Sequence, residues 1–90
     1  MTPADTVQMP RRRFQALAEE VAEAYGISPA ELLGEDRSRH LSHPRQHLYA
    51  LAQERLGWST TRIGAAVGRD HSTVHYGIRR ARERIARGDA

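Results

Sequence analysis

The strongest constraint on this chain is a break at Gly68, which separates two runs of helical periodicity. Before it, Ile63, Ala66 and Val67 fall on one helical face, and glycine follows where a left-handed residue ends a helix. After it, Asp70 offers the short acceptor side chain of an N-cap, and Val74, Ile78, Ala81 and Ile85 recur at helical spacing. Gly64 and Ala65 are small enough to let the second helix cross the first closely. Residues 63–80 therefore read as a helix-turn-helix, whose second helix presents its N-terminal side chains outward. Those side chains are Arg69, Asp70, His71, Ser72 and Thr73, five polar residues in succession.

Charge is distributed unevenly along the 90 residues, although the net charge is only +3. Residues 1–13 carry three arginines and one aspartate, residues 14–36 carry six acids and no base, and residues 37–90 carry eleven arginines and four acids. A polyanion would meet the last of these segments and be repelled by the second. All fourteen basic residues are arginine, whose forked donors match phosphate and guanine. A GC-rich coding sequence produces the same bias. With no cysteine the chain has neither disulfides nor thiolate metal sites, as suits a cytoplasmic protein. No apolar run is long enough for a membrane span or the core of a signal peptide.

Residues 1–13 contain two of the four prolines and no apolar period, which predicts a disordered basic arm ending in Arg11, Arg12 and Arg13. Such an arm can lie on phosphates or in a minor groove, or be a solvated tail. Phe14, Leu17, Ala18, Val21 and Tyr25 predict an amphipathic helix that ends at Gly26, with Glu19, Glu20 and Glu23 off its apolar face. Ser28-Pro29-Ala30-Glu31 is a capping box for a short helix that Gly34 stops. Residues 35–43 lack a period and predict a loop bearing Arg37 and Arg39.

Pro44 would open the next helix, capped by Ser42 or His43, with Leu48, Leu51, Ala52 and Leu56 inward, Tyr49 flanking and Gly57 at its end. Arg45 and Gln46 in its first turn would meet a phosphate. Trp58 reads as a core plug. Ser59 or Thr60 would cap the following helix, where Thr60, Thr61 and Arg62 are phosphate candidates. On the last helix, from about residue 71 to 86, Arg79, Arg80, Arg82, Arg84 and Arg87 form the expected outer face, with Arg79 and Arg80 able to track a nucleic-acid backbone.

Two segments carry a family resemblance. Gly-Arg-Asp-His-Ser-Thr-Val-His at 68–75 closely resembles the signature of the C-terminal DNA-binding domain (domain IV) of the bacterial replication initiator DnaA. Arg-Ser-Arg-His-Leu-Ser-His-Pro-Arg-Gln at 37–46 resembles the segment before that domain's second long helix. The likeness runs from about Phe14 to Ile85. It implies an all-α bundle of about five helices with a helix-turn-helix, of the DnaA domain IV or Trp-repressor type, over residues 14–87, followed by a tail at 88–90.

It also implies binding to double-stranded DNA, with Asp70, His71 and Ser72 reading bases in the major groove and the loop arginine Arg37, with Arg39 beside it, in the minor groove. The side chains have the capacity: Arg69 can grip guanine or a phosphate, and Asp70 can accept from cytosine or serve only as the cap. His71 can donate to guanine or thymine, and Ser72 and Thr73 can bond to bases or phosphates. A single glycine stands before Arg-Asp-His where the family usually has two, and Ser72 replaces the usual threonine, so retention of the initiator's own recognition sequence is not assumed. The chain has no Gly-x-x-x-x-Gly-Lys-Ser/Thr loop and no lysine, so nucleotide binding of that kind is excluded.

The resulting expectation is a stand-alone, non-enzymatic DNA reader without cofactor, cytoplasmic and associated with the nucleoid. It would be a transcription regulator of phage-like or gene-transfer-agent genes, with RNA polymerase or a DNA-bending protein as further partners. Competition with DnaA for its boxes is the alternative. Two other classes compete. The i, i+4 pairs His43/His47 and His71/His75 could hold a metal, although no carboxylate lies between them in a His-Glu-x-x-His arrangement. A pure protein adaptor would use the acidic first helix and leave the arginines idle.

Overall fold

The computed structural model describes residues 3–88, and side-chain surroundings from Arg12 onward. Residues 1, 2, 89 and 90 and the Arg11 side chain, parts of the expected arm and tail, lie outside the described residues. Five α-helices follow one another: α1 Pro3–Tyr25, α2 Pro29–Leu33, α3 Ser42–Leu56, α4 Thr60–Val67 and α5 His71–Ala86, with a 3-10 turn at Arg39–Leu41 before α3. No strand occurs among the described residues. The all-α class and the helix-turn-helix, α4 and α5, stand.

The punctuation follows the local chemistry. Gly26, Gly57 and Gly68 end α1, α3 and α4 with φ near +70° (69°, 68° and 69°), a conformation that costs glycine nothing. The α2 capping box is formed in both directions, Glu31 N–H to Ser28 Oγ at 3.0 Å and Ser28 N–H to Glu31 Oε1 at 3.1 Å. Ser59, not Thr60, caps α4 by accepting from the Arg62 N–H at 3.1 Å.

The structure corrects several expectations. Residues 3–13 continue α1, which runs Pro3–Tyr25. Pro3 occupies the first helical position, where its missing N–H is harmless, while Pro10, inside the helix, forgoes one main-chain hydrogen bond. Arg12 and Arg13 are exposed on that helix. α3 begins at Ser42 rather than Pro44, because the 3-10 turn feeds into it and Leu41 takes the cap position without a side-chain bond. Pro44 is tolerated within the first turn, whose N–H groups lack helical partners anyway.

The core collects Phe14, Leu17, Val21, Leu32, Leu48, Tyr49, Trp58, Ile63, Val74 and Ile78 from all five helices and the α3–α4 link. α3 lies at its centre, touching α1, α2, α4 and α5. Burial on α3 is accordingly wider than the expected stripe: Tyr49 and Ala50 are buried beside Leu48 and Ala52, while Leu51 and Leu56 are only half-buried. Trp58 is the plug its position suggests, stacked on Phe14 with ring centroids 5.0 Å apart and planes 8° apart, and the Arg62 guanidinium covers it at 4.2 Å.

Two apolar assignments, Ala66 and Ile85, and the crossing role of Ala65 fail at the helix-turn-helix. Ala65 and Ala66 are exposed, and so is Ile85, whose place in the interior is taken by Arg84. Arg84 is buried because α3 supplies a partner there: its Nη1 donates to Gln46 Oε1 at 2.6 Å.

Candidate nucleic-acid interface

The interface is set by how closely α5 can approach α4. Gly64 is buried under the turn, and a Cβ at that position would lie 2.5 Å from the Arg69 carbonyl oxygen. The Arg69 N–H in turn donates to the Gly64 carbonyl at 2.9 Å. Only a residue without a side chain permits this contact, and it fixes the start of α5 against α4.

At that start, Asp70, His71, Ser72 and Thr73 are all exposed. Asp70 holds the N-cap position, with φ −65° and ψ 144°, but the capping hydrogen bond expected of it is absent. Its carboxylate turns instead to His71 Nδ1 at 3.3 Å, leaving both side chains at the surface. Arg69 behaves differently. It is half-buried, its Nη2 donates to the Gly34 carbonyl at 3.3 Å, and its charge acts on the Tyr49 phenol.

Arg37, on the loop before α3, meets this region. A hollow of about 260 Å³ is lined by Arg37 and Ser38 of the loop, Ser42, Arg45, Gln46 and Tyr49 of α3, Arg69 of the turn, and Thr73, Tyr76 and Gly77 of α5. The loop and the start of α5, 32 positions apart as Arg37 and Arg69, thus form one surface. Arg39 is exposed on the 3-10 turn. Sequence reasoning did not single out Tyr76, which is 54% exposed at the rim of the hollow. Its spacing, one turn beyond Thr73 and Ser72, was the available signal.

The residues expected to hold phosphates separate into two groups. Arg45 is corrected outright: it is 8% exposed and faces inward, where carbonyl groups bind it. Its Nε donates to the Leu32 carbonyl at 2.9 Å, its Nη2 to those of Glu31 and Gly34 at 2.9 Å each, and its Nη1 to that of Asp36. Gln46 is half-buried and engaged by Arg84. By contrast Thr61, Arg62 and Arg79 are exposed, while Thr60 and Arg80 are half-buried, Arg80 with Glu83 at 3.1 Å.

Electrostatics follow from these placements. Burial lowers the Arg45 pKa, with Arg69 adding to the effect, yet a guanidinium remains charged at any ordinary pH. Burial raises the Tyr49 phenol, and Arg69 and Arg45 pull it partly back. Asp36 is held low chiefly by hydrogen bonds from the Ser38 hydroxyl and N–H, and Glu31 by its bonds to Ser28. His43 and His47 are both lowered by burial and then by Arg84. The i, i+4 histidine pairs are drawn into other contacts, His47 with the Tyr25 hydroxyl at 3.1 Å and His71 with Asp70. No group of three or more His, Cys, Asp or Glu that could hold a metal occurs among the described residues.

Two helices crossed at a glycine, with an exposed polar helix start, define a helix-turn-helix protein. The comparisons specify which. Residues 14–81 match the bacterial dnaA protein helix-turn-helix family, and the chain belongs to it. The chromosomal replication initiator protein DnaA 2 of Chlamydia caviae is 41% identical over 68 residues, 76% of this chain and 15% of that protein. The chromosomal replication initiator protein DnaA of Chloroflexus aggregans is 40% identical over 86 residues, 91% of this chain and 18% of that protein. The chain therefore spans less than a fifth of the length of these relatives. No solved structure matches it.

Proposed function

We propose that this protein binds double-stranded DNA sequence-specifically, with the start of α5 in the major groove and the Arg37 loop in the adjacent minor groove. The observation that carries the reading is the shared hollow. It sets Arg37 beside Thr73, while Asp70, His71 and Ser72 stay exposed on the same helix start. In the major groove Asp70, His71, Ser72 and Thr73 would meet base edges. Arg37, with Arg39 nearby, would read minor-groove width and potential. Arg69 would brace the turn and reach DNA only by leaving Gly34. Thr60, Thr61, Arg62, Arg79 and Arg80 would meet phosphates, each ion contact contributing roughly 0.9 to the salt slope. The module binds and does not catalyse.

The regulatory reading is a cytoplasmic, nucleoid-associated transcription regulator. RNA polymerase or a DNA-bending protein would then meet the acidic face of α1, where Glu19, Glu20 and Glu23 are exposed. The identity of about 40% with chromosomal replication initiators favours a second reading, a replication regulator that competes for the initiator's sites. Selection of bound duplexes from a random library, then titration of the recovered duplex with wild type and His71→Ala, tests the proposal. A defined consensus and a loss of about tenfold on substitution are expected, the size of one good base contact. Recovery of no consensus, with steeply salt-dependent binding that ignores His71, would leave only a general arginine-driven binder. Promoter sites against initiator sites, mapped genome-wide in the source cell, separate the two regulatory readings.

A further inference from the structure

A buried arginine normally pairs with a carboxylate, but the Arg45 guanidinium is held by four main-chain carbonyls, and the Asp36 carboxylate acts on it only through space. The carbonyls explain why. α2 has only five residues, so at its end the Leu32 carbonyl has no helical partner and the Glu31 carbonyl has only the Gly34 N–H, at 3.4 Å, and both lie at the negative end of its dipole. The carbonyls of Gly34 and Asp36 belong to the loop that follows. A planar fork with five donors can serve all four at once, which the single ammonium of a lysine cannot. The Asp36 carboxylate then accepts from the Ser38 N–H at 2.8 Å and the Ser38 hydroxyl at 2.6 Å. Arg37 is thus flanked by two residues that are each held, while its own side chain is exposed. The Gly34 carbonyl is shared, since Arg69 reaches it from the turn before α5.

We propose that Arg45 is the positioning residue of the interface. Its buried guanidinium fixes the loop of residues 34–38 so that Arg37 is presented beside α5, and the shared Gly34 carbonyl couples that loop to the recognition turn. Arg45 acts through Arg37 and not on the DNA backbone. The loop is ordered before DNA arrives, so binding does not bear the cost of ordering it.

The inference rests on the DNA-binding reading, and a double-mutant cycle on the 90-residue chain tests it, with the selected duplex as probe. Arg45→Met and Arg37→Ala should each weaken binding about tenfold. In the Arg37→Ala background, Arg45→Met should then change neither affinity nor salt slope. A further loss in that background, with the slope smaller by about 0.9, makes Arg45 a phosphate contact and overturns the proposal. If Arg45→Met does not fold, Arg45→Lys decides. Positioning predicts the same tenfold loss, whereas a phosphate contact, which needs only the charge, predicts near-wild-type binding. If the wild type binds no duplex, the DNA reading fails by itself. Hydrogen exchange in the free protein then still judges the loop. Arg45→Lys should speed exchange at the Ser38 and Leu41 amides and leave those of α5 unchanged, and unaltered exchange at both sites refutes the positioning role.

Discussion

Gly64→Ala puts the crossing of α4 and α5 to a sharp test, because two effects of opposite sign compete. Removing a glycine from a helix interior normally stabilises by about 1 kcal/mol. Here the new Cβ would stand 2.5 Å from the Arg69 carbonyl oxygen and 3.5 Å from the His71 nitrogen, where ordinary contact begins at 3.4 Å. The turn would have to withdraw by nearly 1 Å, the difference between 3.4 and 2.5 Å. It cannot withdraw freely, since the Arg69 N–H is bonded to the carbonyl of Gly64 itself at 2.9 Å. Overpacking against fixed neighbours costs about 1–3 kcal/mol, and a backbone obstacle belongs at the upper end. The net expectation is a loss of about 1–2 kcal/mol, or roughly 5–15 °C in Tm for a domain of this size. Thermal unfolding followed by circular dichroism measures it. Ala66→Gly, at an exposed position of the same helix, gives the propensity effect alone, about 1 kcal/mol. An unchanged or higher Tm for Gly64→Ala would refute the close crossing.

Two further outcomes follow from burial. Val74 is fully buried on α5, so Val74→Ala should cost about 2 kcal/mol, read as a drop of roughly 10 °C in Tm; a change under about 2 °C would place it outside the core. His47 has a lowered pKa from burial, so the unfolded chain takes up its proton first on acidification. The stability contribution of neutral His47 is present above the ordinary value of 6.5 and is lost as pH falls below it towards the folded-state pKa. Tm should therefore fall between neutral pH and about pH 5, and less so in His47→Gln; equal falls in both would assign the effect elsewhere, His43 first.

Much of the fold was legible in the chain because its boundaries are local. Gly26, Gly57 and Gly68 mark helix ends by a conformation that their own chemistry permits, and the Ser28–Glu31 box closes within three residues. Arg45 and Arg84 were not legible, because a charged residue in an amphipathic pattern is read as facing outward. What reverses that reading is distant in sequence: the carbonyls at the end of α2 for one, Gln46 of α3 for the other. The stripe on α3 was drawn too narrow for a similar reason, since periodicity cannot reveal that four helices surround it. The recognition turn itself was legible in position, but the inward tether of Arg69 depends on the Gly34 carbonyl, which no local pattern connects to it.

The stacked Phe14, Trp58 and Arg62 also have an optical consequence. Trp58 is the only tryptophan, and it is nearly enclosed, 8% exposed, at the joint between α1 and α4. It is not among the residues that line the hollow beside α5. Its emission should sit to the blue in the native protein and move to the red on unfolding, and a phosphate that draws Arg62 off the ring should also register in it. The molecule thus carries its own folding reporter, joined to its binding surface through Arg62, and unfolding can be followed without a label.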